Sequence, residues 1–237
     1  MGLNLTFFTC MKANKTKAGF TLVELLVVIS IILIASSIIF IGGSGGGGAA
    51  LSSSQRIVSG IAQGARGQAI LKNASTRIIV HNDPSDLDKY RRYFGIIYRA
   101  EDGAGGTKQW IAATQGTSLP EGIYFDAASS SSESGSAWTP TNIQLDYPKT
   151  TPQPENSGTN YLYYEYYTNG ASANPNAYLV LRSGSAIPNT AGTSVSEIRV
   201  DQGDEFLRAA LIFRRVGTTT MVTEPEAISP TSKTSIQ

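Results

Sequence analysis

Lys17-Ala18-Gly19-Phe20-Thr21-Leu22-Val23-Glu24-Leu25-Leu26-Val27, carried on as VISIILIASSIIFI to Ile41, is the stretch from which the fold is read. Between Phe20 and Ile41 there are 22 residues and a single charge, Glu24. At about 1.5 Å per residue a helix of that length spans roughly 33 Å, enough for a hydrocarbon core of about 30 Å. Ahead of it, residues 1–19 carry Lys12, Lys15 and Lys17 and no acid. A secretory signal peptide has the same order of basic start and apolar run. Here, however, the run exceeds an h-region of roughly 7–15 residues, and no A-x-A-like site follows it. A plain single-pass anchor fits the length but leaves Glu24 unexplained, since a carboxylate at the centre of a membrane helix costs about 2.5–3.5 kcal/mol.

Residues 17–27 closely resemble the class III signal of type IV pilins and of the pseudopilins of type II secretion. The resemblance implies that a membrane prepilin peptidase cuts after Gly19 and methylates the new N-terminus, Phe20. It implies that Glu24 is the assembly residue. Residue chemistry agrees: Gly19 has no Cβ to obstruct approach to the backbone. Cleavage would leave a cationic amine on Phe20, and Glu24 lies about 6 Å deeper, one helical turn on. In a filament the family partner of that carboxylate is the terminal amine of a neighbouring subunit, a charge pairing that sets axial register.

The expected function is therefore that of a single-pass inner-membrane structural subunit, cleaved, N-methylated and assembled as a minor pseudopilin of a type II secretion pseudopilus. The alternatives are a minor pilin of a type IV pilus, serving adhesion, motility or DNA uptake, or a membrane-anchored binding protein. Implied partners are the prepilin peptidase, other pilin or pseudopilin subunits, the inner-membrane assembly platform and the lipid bilayer. No cofactor, metal or catalytic residue is expected. The lysines hold the leader inside, so the head lies in the periplasm, or at the cell surface after assembly. Met11 could serve as the start as well as Met1. The only cysteine, Cys10, belongs to the leader, so the processed chain lacks the disulfide common in major pilins; this favours pseudopilins and minor pilins.

Residues 42–48, GGSGGGG, follow the span. Gly43, Gly45 and Gly48 satisfy G-x-G-x-x-G, but a nucleotide site needs a strand before it and an acid about 20 residues on. The preceding run reads as a membrane span, and no acid occurs between Gly48 and Asp83. A hinge is the better reading, because six glycines cost a helix about 5–6 kcal/mol relative to alanine. From 49 to 75, Leu51, Ile57, Val58, Ile61, Ala62, Ala65, Ala69 and Ile70 recur at three and four spacings, which predicts an amphipathic helix with Gln55, Arg56, Gln63 and Arg66 on its other face. This helix and the strand-like 76–80 resemble the H-type (GspH/FimT-type) minor pseudopilins.

Residues 76–223 form the head. Runs at 76–81, 92–99, 109–114, 122–126, 160–167, 177–182, 196–200, 206–214 and 219–223 are β-like and punctuated by turn residues. The expected class is α+β: a long N-terminal transmembrane and amphipathic helix, interrupted by glycines, packed on a mostly antiparallel pilin-like β-sheet head. Residues 127–159, rich in Ser and Pro, read as an exposed insertion, and 224–237 as a flexible tail.

The chain's formal charge is +1, falling to −2 without the leader's three lysines, which argues against a nucleic-acid-coating surface. Arg91-Arg92 and Arg214-Arg215 are weak candidates for a DNA contact, and no nucleic acid is favoured. One His and one Cys nearly exclude a Cys/His zinc site or Cys–His dyad, since Cys10 and His81 would have to supply everything. His81 lacks a Gly-x-Ser-x-Gly partner and reads as a satisfied or surface residue. Asp83, Asp86 and Asp88, and Asp201, Asp204 and Glu205, lack EF-hand spacing and read as solvated turn acids. Tyr161, Tyr163, Tyr164, Tyr166 and Tyr167 share one strand. Alternation divides them between its faces, for a core and a surface ladder ahead of a glycan- or subunit-binding face.

Overall fold

The computed structural model describes residues 21–42, 47–131, 141–173, 175–200 and 204–222, with side chains in the first helix described as far as Ile32. The leader 1–19 with Cys10, the cleavage residues Gly19 and Phe20, hinge positions 43–46, the Asp201–Gly203 turn and the tail 224–237 lie outside them. The chain divides into two compact units, residues 1–44 and 45–237.

In the first unit, helix α1 spans Leu22–Gly42. Among the described residues no helix is long and apolar enough to cross a membrane; the apolar run 20–41 begins at Phe20, outside those residues.

In the second unit, α2 spans Gly47–Lys72, so Gly47 and Gly48 of the glycine segment are helical. Its buried stripe is Leu51, Ser54, Gln55, Val58, Ala62, Ala65 and Ala69, the i, i+3, i+4, i+7 pattern of a helix with one face in the core. Three alanines on that face allow the helix to lie close against the strands. Two positions differ from the sequence reading. Ile70 is exposed, and Gln55 is buried. Gln55 is tolerated inside because its Nε2 donates to the carbonyls of Ala210 and Val222, both at 2.9 Å. Asn73 stops the helix in a left-handed conformation (φ 47°). Ala74 N–H then donates to Ala69 O and Asn73 N–H to Ile70 O, a Schellman arrangement that satisfies the last carbonyls.

Among the described residues thirteen strands follow. Sheet A contains β1 (Thr76–His81), β2 (Tyr93–Arg99), β3 (Gln109–Ala112), β4 (Thr117–Ser118), β6 (Asn142–Leu145), β7 (Gln153–Pro154) and β8 (Thr159–Tyr166), in the order β6-β8-β1-β2-β3-β7, with β4 beside β2. Sheet B is β13-β12-β9-β5, from β5 (Ile123–Ser131), β9 (Tyr178–Ser183), β12 (Arg208–Phe213) and β13 (Thr219–Val222). The hairpin of β10 (Ser185–Pro188) and β11 (Val195–Arg199) stands apart. All pairings are antiparallel. The main core joins α2 to both sheets through Ile78, Val80, Phe94, Phe125, Tyr164, Leu179, Leu211 and Phe213.

The segment 127–159 is not a wholly exposed insertion. It extends β5, supplies β6 and β7, and builds a second core on the outer face of sheet A. Ile143 and Leu145 join Ile79, Ile97, Trp110 and Tyr161 there, with Tyr147 and Tyr163 packed at its margin. Tyr147 lies across Gly95, where a Cβ would sit 2.3 Å from the ring. Its hydroxyl donates to Thr114 O at 2.7 Å. Gln153 holds the turn shut, accepting from Asp146 N–H (2.9 Å) and donating to Asp146 O (2.7 Å). This second layer explains why every residue of β1 is buried, not only alternate ones.

Candidate functional site

The first candidate lies at the start of α1. Thr21 precedes the helix, and its backbone N–H and hydroxyl both donate to Glu24 Oε2 at 3.2 Å. Glu24 N–H donates back to Thr21 Oγ1 at 3.2 Å. This is a capping box of the T-x-x-E form, which satisfies two of the helix's orphan donors and places a carboxylate at the positive end of the dipole. Glu24 is exposed within its unit. Sequence reasoning singled out Glu24 but missed Thr21, although the T-x-x-E spacing before an apolar run was its signal.

The head's candidates resolve into structural roles. Tyr164 and Tyr166 enter the main core, where Tyr164 stacks on Phe213 at 4.5 Å and Tyr166 meets it edge-on at 6.3 Å. Tyr161 and Tyr163 face the second core, while Tyr167, past the strand's end, is half exposed. Burial drives the hydroxyl pKa values of Tyr161, Tyr164 and Tyr166 well above the ordinary phenol range. Of the two arginine pairs, Arg91 lies over the Tyr90 ring and Arg92 over Tyr124, with Arg92 Nη2 donating to Leu119 O. Arg214 Nε donates to Thr220 Oγ1. The turn acids are engaged locally: Asp83 accepts Ser85 N–H and hydroxyl, Asp86 accepts Lys89 N–H and Nζ, and Asp204 accepts Ser183 Oγ.

The most densely coupled charged group was not singled out in the sequence. Arg77, on β1, is 5% exposed. Its Nη1 pairs with Glu155 Oε1 and its Nε with Glu165 Oε2, both at 2.9 Å. The guanidinium lies between the rings of Trp110 (4.0 Å) and Tyr163 (3.8 Å), and Trp110 Nε1 donates to Glu155 at 2.7 Å. The planar cation stacks between two π-faces while its edge meets two carboxylates. The arrangement anchors the 141–158 cover to sheet A.

His81 ends β1 buried, 5.3 Å edge-on from Tyr161. Burial holds its pKa below the usual 6.5; Asp86 and Asp83 pull upward, and Lys89 adds to the depression. As pH falls below about 6.5 the unfolded chain binds the proton first, so stability is lost on acidification through that window and not gained. Asp83 is held low by its Ser85 hydrogen bonds. In Asp86, partial burial is outweighed by the Lys89 contacts. Their contributions disappear only below about pH 4. Urea midpoints should therefore decline between about pH 7 and 5 in the native chain and stay flat there in His81→Gln, with both falling below about pH 4.

Residues 14–40 match the model of the prokaryotic N-terminal methylation motif, the class III signal of type IV pilins and pseudopilins. The motif implies processing by prepilin peptidase and assembly with other pilin-type subunits. Neither a curated protein nor a solved structure matches the chain.

Proposed function

We propose that the chain is a structural, non-enzymatic subunit of a type II secretion pseudopilus, a minor pseudopilin of the H type. The carrying observation is the methylation motif at residues 14–40. In this reading prepilin peptidase removes residues 1–19 after Gly19 and methylates Phe20. Residues 20–41 anchor the subunit in the inner membrane until filament entry, and Glu24 sets its register against a neighbouring terminal amine. With Gly42 closing α1 and Gly47 and Gly48 inside α2, the hinge between anchor and head narrows to residues 43–46, a role supported by the division of the chain into compact units at residues 44 and 45. Support for a minor subunit comes from a processed chain without cysteine.

Intact-mass measurement of the chain purified from membranes tests processing. The expected species begins at Phe20 and carries one extra methyl group on its N-terminus; a species retaining residues 1–19 contradicts the reading. Deletion in the native host then distinguishes the filament: loss of protein export with pili intact is expected, and loss of pili with export intact would instead assign the chain to a type IV pilus.

A further inference from the structure

A cavity of about 590 Å³ opens between sheet B and the β10–β11 hairpin, walled by Tyr90, Arg91, Tyr124, Asp126, Arg182 and Glu197. Its volume suits one or two sugar rings. The wall is built around an under-used cation. Arg182 sits on β9 with its side chain 6% exposed, and its Nε has no partner among the described residues. Nη1 stands 3.7 Å from Asp126 Oδ2, and Nη2 donates to the Glu205 carbonyl at 3.4 Å. Directly opposite on β12 is Arg208, whose Nε is likewise buried without a partner among the described residues. Like charges directly opposed across strands repel.

Asp126 does little to relieve this. Asp126 already accepts the N–H groups of Ala128 and Ser129 and the Ser129 hydroxyl. Glu197 pairs with Arg199 at 2.7 Å in an exposed contact. A buried guanidinium with spare donors is costly unless an anion satisfies it, and a carboxylate meets a guanidinium edge with two parallel bonds. The surrounding walls add tyrosine rings at Tyr90 and Tyr124 and hydroxyls at Ser129 and Ser196. Aromatic faces, hydroxyls and mixed charges suit the C–H face and hydroxyl groups of a sugar ring.

We propose that this cleft binds an acidic saccharide of one or two rings, the carboxylate of a hexuronate engaging Arg182 and its ring lying against Tyr124. This site is independent of the amino-terminal processing signal.

The test is calorimetric titration of the full chain, purified in neutral detergent, with digalacturonate, with the neutral disaccharide of galactose, and with acetate at matched ionic strength. Digalacturonate is expected to bind with a Kd on the order of 0.1–1 mM, at least about tenfold tighter than either control. Arg182→Gln is expected to weaken binding at least about tenfold. Arg91→Gln, at a less buried position, is expected to weaken it about threefold and guards against misfolding of the first variant. Absence of digalacturonate binding, equal affinity for acetate or the neutral sugar, or unchanged affinity in Arg91→Gln and in any folded Arg182→Gln overturns the proposal.

Discussion

Replacing Arg77 by Met is expected to destabilise the head by about 2–4 kcal/mol and to lower its thermal midpoint by roughly 5–15 °C. The cost does not come from losing attraction alone. Removing one member of a buried ion pair leaves the others desolvated without compensation, typically about 3–5 kcal/mol. The estimate is set lower here because Glu155 and Glu165 keep 28% and 22% of their side-chain surface in water. Methionine preserves packing between Trp110 and Tyr163, which isolates the electrostatic part. Arg77→Lys should recover little, because an ammonium cannot stack flat between two rings and bond two carboxylates along one edge. The triple variant Arg77→Met, Glu155→Gln, Glu165→Gln should regain at least half of the loss, since it no longer holds uncompensated carboxylates. Differential scanning calorimetry of the four proteins decides the matter. A single variant within about 0.5 kcal/mol of the native chain would show that the cluster is decorative.

Loss of the Glu24 carboxylate should have the largest functional effect, a fall in filament incorporation of at least about tenfold in Glu24→Ala. That variant alone is ambiguous, because the structure gives Glu24 a second role as the N3 residue of the α1 capping box. Glu24→Gln separates the two. Glutamine serves at N3 of a capping box but carries no charge. Thr21→Ala does the reverse, removing the cap at a cost of about 1 kcal/mol while leaving the carboxylate. If register depends on charge pairing, Glu24→Gln fails as badly as Glu24→Ala and Thr21→Ala incorporates near normally. If capping is what matters, Thr21→Ala fails and Glu24→Gln assembles. Immunoblotting of sheared or cross-linked filaments, normalised to membrane levels of each variant, reads the outcome.

Much of the head was legible because its strands obey the period of two and are bounded by turn residues. The run 76–81 is β1, and Tyr161 through Tyr166 divide between two faces as alternation requires. The helix stripe at Leu51, Val58, Ala62, Ala65 and Ala69 was equally direct. What failed was the segment 127–159. Its Ser and Pro content signals solvent, yet Ile143, Leu145 and Tyr147 carry the burial and Gln153 closes the turn. Ile143, Leu145 and Tyr147 do alternate with a period of two, but three residues set among serines and prolines make too short a run to outweigh that composition, and the pairing with β8 and β3 is long-range. Gln55 was misplaced for a related reason: a polar side chain is assigned to solvent unless its acceptors are known, and those acceptors lie on β12 and β13, more than 150 residues away.

By itself the sequence carried the amino-terminal methylation motif, matched at residues 14–40, because such a signal is read locally: a basic leader, a Gly-Phe-Thr-Leu-x-Glu run and an apolar stretch need only their order and spacing. It also determined the helix stripe and most strands, whose periodicities are local consequences of backbone geometry. The tertiary structure alone decided which polar groups are buried. Arg77, Arg182, His81 and Gln55 resemble any surface residue in the chain, and their environments arise only when strands distant in sequence pair and a second layer closes over them. Burial is a property of the folded ensemble of contacts, and the free energy of a charge depends on what replaces the water it loses.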